Sequence, residues 1–245
     1  MKTTRYQRRF YRDWITAQDL HLSRFALQET DLAILTDKPV ERDFIQERIS
    51  LYRRQIQGYI ARDPRFLTSL KPLVVELNAP MIVRVMSRAG RMANVGPMAS
   101  VAGAIAERLG RDLIRKGHRD TIIENGGDIF MLSSKMRSVG IYAGSRNRWS
   151  RLRLKIKPAD TPLGICASSG VIGHSLSFGR ADSVVILSPN TALADAVATA
   201  CANRVHSKAD LNPTISFARS IKGISGGIII LGGHLATWGK LEFLS

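Results

Sequence analysis

The sequence has little cysteine and no long apolar segment. Its only two cysteines, Cys166 and Cys201, lack the spacing of a metal-binding pair, which excludes a disulfide framework and favours reduced thiols in a cytoplasm. No hydrophobic run approaches the length of a transmembrane helix, and no apolar segment follows the charged amino terminus as it does in a signal peptide. We therefore expect a cytoplasmic protein without a membrane partner.

Acidic residues are also few relative to basic ones. The chain has 20 Asp plus Glu against 36 Lys plus Arg, a formal net charge of +16, which favours anionic partners such as phosphorylated cofactors or nucleic acid. The basic residues are scattered, with the densest runs at 5–12, 108–119 and 137–157. Because no aromatic RNA-binding motif, zinc finger or helix-turn-helix pattern accompanies these runs, nucleic acid is the disfavoured partner.

Length and composition indicate a globular protein. The 245 residues are 44% hydrophobic and 23% charged, enough for a substantial core. No internal repeat, low-complexity tract or linker divides the chain. We predict one domain over 1–245, in which 1–24 is a basic, aromatic-rich lead-in.

The periodicity predicts a mixture of helices and strands. Segment 25–35 is expected to be a hairpin turning near 29–31, and a long helix is expected from Pro39 to just before Asp63. A second helix at 80–92 would be opened by Asn78 and Pro80, and a third would span 99–116. Further strands are predicted at 120–124, 129–132, 139–143, 151–157, 163–167, 183–187, 226–231 and 238–243. About eight strands and four helices, mostly without strict alternation, indicate an α+β fold with a largely antiparallel sheet and packed helices.

An alanine-rich helix after Pro189 carries two oxygen-bearing side chains. Asp195 and Thr199 are separated by four residues and therefore share one helix face. Oxygen ligands suit a hard cation such as Mg²⁺. In the structural alternative, the negative charge of Asp195 stabilises the N-terminus of the helix. The Thr199 hydroxyl then donates a hydrogen bond to the backbone carbonyl four residues earlier.

Two small-residue segments are candidate ligand contacts. The turn Gly126-Gly127-Asp128 lies between two apolar runs, where backbone N–H groups can face a ligand. The second segment is the turn Ser168-Ser169-Gly170, which is followed by a loop containing His174. In the alternative interpretation, the Asp128 side chain forms a hydrogen bond with its own backbone in the turn, and His174 forms one with a neighbouring backbone group.

The order of these motifs resembles that of the ApbE family, the FAD:protein FMN transferases. That family has a Gly-Gly-Asp segment, a Ser-Gly turn, a His-containing loop and an Ala-Asp-x-x-x-Thr helix in this order. The resemblance extends along most of the chain and is closest to a short branch that lacks the lipoprotein signal. It is carried by RYQRRFYR near the start, ETDLAI, YIARDPRFLTSLKP, VGPMASVAGAIAE, ENGGDIF and SSGVIGHSLSFGRAD.

The resemblance implies a site and a reaction. Asp195 and Thr199 would bind Mg²⁺, helped by backbone carbonyls near 95–99 and at Ala198. FAD would contact the two small-residue turns defined above, and His174 would act as the general base. A hydroxyl of an acceptor protein would attack the FMN phosphorus of FAD, and AMP would leave.

Other functions stay open at the level of sequence. The family's Ile-Ile-Asp-Pro after the histidine is here Ser175-Leu-Ser-Phe, and its Lys-Gly pair is Ala102-Gly103. The branch is linked to sulfur assimilation and homocysteine formation, in which Cys166 would supply a thiol; the structural alternative is a small buried hydrophobe. A silent nucleotide-binding module is a further alternative, and a homodimer is left open.

Overall fold

A large antiparallel sheet forms the centre of the fold. The computed structural model describes residues 17–144, 147–149, 152–169 and 179–244. Eight strands lie in the order β1-β2-β3-β4-β7-β8-β9-β10, and each neighbouring pair is antiparallel. Their bounds are β1 His21–Leu27, β2 Thr30–Thr36, β3 Thr121–Asn125, β4 Asp128–Leu132, β7 Leu163–Ser168, β8 Ser183–Ser188, β9 Gly226–Leu231 and β10 His234–Gly239.

Helices cover one face of this sheet. They are α1 Arg42–Arg62, the single-turn α2 Arg65–Thr68, α3 Met81–Ala93, α4 Val101–Arg115, α5 Thr191–Ala202 and α6 Leu211–Ser220. A 3-10 turn, Pro97–Ser100, leads into α4. All twelve residues of α5 are buried, as expected of a helix that is apolar on every side. This helix packs on β7 and β8 and touches α3 and α4.

A small sheet covers the other face. It contains β5 Arg137–Gly140, β6 Arg153–Ile156 and β11 Phe243–Leu244, in the order β11-β6-β5. A second apolar core lies between the two sheets, because alternate side chains of each strand point to opposite faces. For example, Ile165 belongs to this core whereas Cys166 belongs to the core under the helices.

The architecture confirms the α+β prediction and corrects several details. Asn78 is not a helix cap, because Pro80 is the residue before α3 and no side chain caps that end. Helix α6 was not predicted, and the segment 238–243 holds the end of β10 and the start of β11 rather than one strand. The lead-in prediction falls mostly on 1–16, outside the described residues.

None of the helices in the described part of the chain combines the length and the apolar character needed to cross a bilayer.

Candidate functional site

The glycine pair forms the turn between β3 and β4. Asn125 pairs with Asp128 across the hairpin, which leaves Gly126 and Gly127 as the two turn residues. Their φ angles are +67° and +104°, as a tight type I′ hairpin requires at both positions. The Oε1 atom of Glu124 accepts a hydrogen bond from the backbone nitrogen of Gly127 at 2.8 Å. The predicted glycine turn is therefore present, and a side chain holds it.

Helices α4 and α5 each provide an acid for the N-terminus of the other. The Oδ2 atom of Asp195 in α5 accepts a hydrogen bond from the Gly103 nitrogen at 2.8 Å, and Glu107 in α4 accepts one from the Thr191 nitrogen at 2.8 Å. A β-carbon on Gly103 would lie 2.7 Å from the Thr191 oxygen and 2.8 Å from the Asp195 β-carbon. The absence of a side chain at Gly103 thus permits the approach that places Asp195.

Two buried carboxyl groups meet under the helices. Burial raises the pKa of Asp195 to about 7, and burial together with the charge of Asp195 raises the pKa of Asp128 well above its ordinary value. Neither carboxylate forms an ion pair with any basic side chain that the structure describes. The Asp128 Oδ1 atom and the Ser168 Oγ atom are buried without a hydrogen-bond partner among the described residues. The site therefore has acceptor oxygens available to a ligand, and because both pKa values are raised, a cation bound there would displace protons from the carboxyl groups.

The oxygen atoms of this site meet part of the requirement for binding a hard cation. Carboxylate and hydroxyl oxygens are the ligands that Mg²⁺ prefers, and Thr199 lies one helical turn beyond Asp195 on a buried helix. In the described residues no three His, Cys, Asp or Glu side chains cluster closely enough to hold a metal by themselves. A cation here would need water, carbonyl or phosphate oxygens in addition, which is the usual situation for Mg²⁺.

A cavity opens on the opposite face of the large sheet. It encloses about 140 Å³ and widens toward solvent, and four predicted contacts line it: Gly126, Gly127, Ser168 and Ser169. Its walls are mostly apolar, with contributions from Ile129, Val139, Ile141, Ile165 and Val185, and Glu124 and Asp182 add acids.

The structure therefore divides the predicted site residues between two faces. Asp128 precedes the cavity-lining Ile129 in β4, so its side chain points the other way, toward the helices and Asp195. The two faces adjoin at the end of the sheet, where the β3–β4 turn lies beside β7; a β-carbon on Gly127 would be 3.9 Å from the Ala167 β-carbon. Gly170 and His174 lie outside the described residues, so the proposed base has no observed position.

Cys166 is a buried structural thiol. Its sulfur lies 3.3 Å from the Thr191 carbonyl oxygen, to which it donates. Burial and the nearby Asp128 and Asp195 raise its pKa well above the ordinary value. A thiolate nucleophile is disfavoured at this position.

Three site residues were not predicted from the sequence. Glu107 and Gly103 act through contacts with α5, which is more than 80 residues away in the chain, and no local pattern indicates those contacts. Glu124 immediately precedes the Asn125-Gly126-Gly127 turn. This position in the sequence could have indicated that its side chain contacts the turn.

Comparison with solved structures defines the class of fold. The apo form of the flavinyl transferase ApbE from Pseudomonas stutzeri superposes with a TM-score of 0.62 at 12% identity, covering 89% of this chain and 94% of that one. The ApbE protein of Thermotoga maritima gives a TM-score of 0.62 at 10% identity, with 91% and 96% covered. The chain has the ApbE fold.

Sequence comparison defines the family. The family described as "AbpE bacteria" matches residues 12–222. A "UPF0280 protein" of Methanothermobacter thermautotrophicus is 42% identical over 199 residues, covering 78% of this chain and 76% of that protein. Another from Methanosarcina acetivorans is 37% identical over 218 residues, with 89% and 86% covered. The chain belongs to this ApbE-like family, as its motif order indicated.

Proposed function

We propose that this chain is a Mg²⁺-dependent FAD:protein FMN transferase of the cytoplasm. The observation that carries the proposal is the pair of buried carboxyl groups without an ion-pair partner among the described residues, Asp128 and Asp195, beside an apolar cavity that the two predicted turns border. The Pseudomonas stutzeri flavinyl transferase shares the fold, which supports FAD as the ligand. In support of the location, both thiols are free and buried.

The division of the site suits a ligand with two chemical parts. The apolar slot between the sheets would take a flat ring system, and Ser169 at its rim would contact a polar group of the same ligand. The phosphates would lie near the glycine turn toward the carboxylates. Because Gly126 and Gly127 have no side chains, these two residues leave the route from the apolar slot to the carboxylates open.

A cation would allow the buried carboxyl groups to ionise beside this ligand. Without a cation, the negative charge of a pyrophosphate would oppose that ionisation further. Asp195, Thr199 and Asp128 would hold Mg²⁺, which would neutralise the phosphates and make the phosphorus more electrophilic. The Gly103 N–H group takes one lone pair of the Asp195 Oδ2 atom, so this carboxylate keeps acceptor capacity for a cation.

The proposed reaction replaces the phosphoanhydride bond of FAD with a phosphoester bond to the acceptor. An acceptor Ser or Thr oxygen bonds to the FMN phosphorus, the bond from that phosphorus to the AMP oxygen breaks, and AMP departs. The proton of the acceptor hydroxyl passes to a base, for which His174 is the candidate from the family resemblance. Orientation and charge neutralisation supply most of the catalysis in such a step.

The test is AMP release from FAD. Purified protein is incubated with FAD and Mg²⁺, with and without a Ser- or Thr-containing acceptor, and AMP is measured chromatographically. We expect release by the wild type and loss of at least 100-fold in Asp195→Asn and Thr199→Val. Release that is equal in these variants, or that resists chelation of the metal, would contradict the proposal.

A silent nucleotide-binding module is the second candidate. The missing Ile-Ile-Asp-Pro segment after His174 is the observation that favours it. Such a module binds FAD with Mg²⁺ but releases no AMP in any variant. No structural observation favours the sulfur alternative, because the Cys166 thiol is buried and held in its neutral form.

A further inference from the structure

An exposed apolar strip crosses the helical side of the molecule. It runs from α2 through the irregular segment before α3, and its members are each about half exposed or more: Leu67, Leu70, Val74, Leu77 and Met81. Leu77 is 90% exposed and Val74 is 77% exposed, values that are unusual for aliphatic side chains. An apolar strip of this kind on a folded protein commonly marks a binding surface.

The backbone of the strip is fixed although its side chains are exposed. The Ser87 hydroxyl donates to the Leu73 carbonyl oxygen at 2.5 Å, and the Tyr59 hydroxyl donates to Glu76 at 2.9 Å. A β-carbon on Gly96 would collide with the Ser69 carbonyl oxygen, so the strip packs tightly against the chain there. The apolar surface is therefore preformed.

A row of arginines begins beside the strip, where the Arg84 Nη2 atom lies 3.8 Å from the Met81 sulfur. Arg84, Arg88 and Arg91 are spaced at i, i+4 and i+7 and share one face of α3, which has no acidic residue. None of the three forms an ion pair with a carboxylate in the described part of the chain, and the buried Arg84 Nε atom has no hydrogen-bond partner there. A second copy of this chain would bring like charge against this row, which disfavours self-association.

We propose that the strip and the arginine row together form a docking surface for a partner protein that presents apolar side chains ringed by Asp and Glu. The surface adjoins the candidate site, because Gly96 leads through the turn Pro97–Ser100 into the α4 end that Asp195 caps, and this turn packs on α5. The assignment of this partner as the flavin acceptor rests on the proposed function. The existence of the surface does not.

The test uses synthetic peptides as probes. A fluorescein-labelled amphipathic 21-residue peptide with leucines on one face and glutamates elsewhere is titrated with the full chain, and anisotropy is measured. One control peptide has lysine in place of glutamate, and a second has serine in place of leucine. We expect only the leucine–glutamate peptide to bind well, at least tenfold more tightly than either control, with an affinity that falls steeply with salt.

Variants locate the binding. Leu70→Ser/Val74→Ser/Leu77→Ser and Arg88→Gln/Arg91→Gln should each weaken peptide binding at least tenfold. The matched controls Leu22→Ser and Arg219→Gln/Lys222→Gln remove exposed groups elsewhere and should change it less than twofold. Because all these side chains are exposed, thermal midpoints should be preserved.

Several results would overturn the proposal. The first two are equal affinity for the three peptides and peptide binding that the strip and arginine variants leave unchanged. The third is binding to phosphatidylglycerol vesicles, but not to the peptide, that the strip variant abolishes. The fourth is a dimer of this chain that the leucine variant dissociates. AMP release from FAD without acceptor is measured in parallel, so that loss of the proposed function and loss of docking are recorded separately.

Discussion

The carboxylate of Asp195 caps helix α4 through the backbone nitrogen of Gly103, at 2.8 Å, although the two residues lie 92 positions apart. The same acid is the proposed cation ligand, so one side chain serves helix packing and would also serve the metal. The structural interpretation of Asp195 and the functional one are therefore compatible.

We predict that Gly103→Ala destabilises the protein by about 1–3 kcal/mol, because the added methyl group would overlap Thr191 and Asp195. The measurement is urea unfolding followed by circular dichroism. Gly58→Ala in α1 is the matched control, because its added methyl group meets no atom within 4 Å and alanine favours helix. Equal stability changes in the two variants would show that the α4–α5 approach does not require glycine.

Asp195 should make stability depend on pH. Folding raises the pKa of this carboxyl from 3.8 to about 7, so the folded state favours the protonated form. This group therefore destabilises the fold progressively as pH rises from about 4 to about 7, and fully above that range. Asp195→Asn should stabilise the metal-free protein at pH 8, by about 4 kcal/mol at most, and by much less at pH 5.

The comparison with wild type at each pH measures Asp195 together with Asp128, because removal of the Asp195 charge also lowers the pKa of Asp128. His118, whose pKa burial lowers, acts in the opposite direction in the same range, but it is present in both proteins and cancels. The readout is the thermal midpoint from pH 5 to 8 in chelator. If the difference in thermal midpoint between wild type and Asp195→Asn stays constant with pH, the raised pKa of Asp195 is contradicted.

Glu107 should behave as a positioning residue for α5. Glu107→Ala leaves the Thr191 N–H group buried without an acceptor, which should cost about 1–3 kcal/mol. Glu107→Gln keeps an acceptor oxygen and loses only the pairing with the half-exposed Arg111, so it should cost less than about 1 kcal/mol. The expected ranking is checked by urea unfolding, and equally unstable variants would refute the capping role.

Both thiols should be unreactive in the folded protein. Burial raises the pKa of Cys201 to about 12, and burial with neighbouring acids raises that of Cys166. We expect Ellman's reagent to titrate neither thiol in native protein at pH 7.5 within an hour, and to titrate both in 6 M guanidinium. Rapid native labelling that Cys166→Ala removes would instead restore the sulfur alternative.

Local patterns predicted the local structure well. The spacing of Ile45, Ile49, Tyr52 and Ile56 predicted α1, because one face of that helix is buried. The glycine pair predicted its hairpin turn, since only glycine adopts both φ angles freely.

What could not be predicted depends on contacts between distant segments. The alternation that predicted a strand at 151–157 does not indicate that β6 lies between β5 and β11, where Glu242 pairs with Lys155 and Lys157. Likewise, no spacing rule indicates that the glycine turn opens on one face of the sheet and Asp128 on the other, because that depends on the register of β4.

The most direct measurement is a titration of the protein with FAD at pH 8, following flavin fluorescence, with Mg²⁺ and with chelator. We predict binding that tightens at least tenfold with Mg²⁺ in the wild type, and no effect of Mg²⁺ in Asp195→Asn. Equally tight FAD binding by the wild type with and without metal, or no FAD binding at all, would contradict a cation-bridged flavin site.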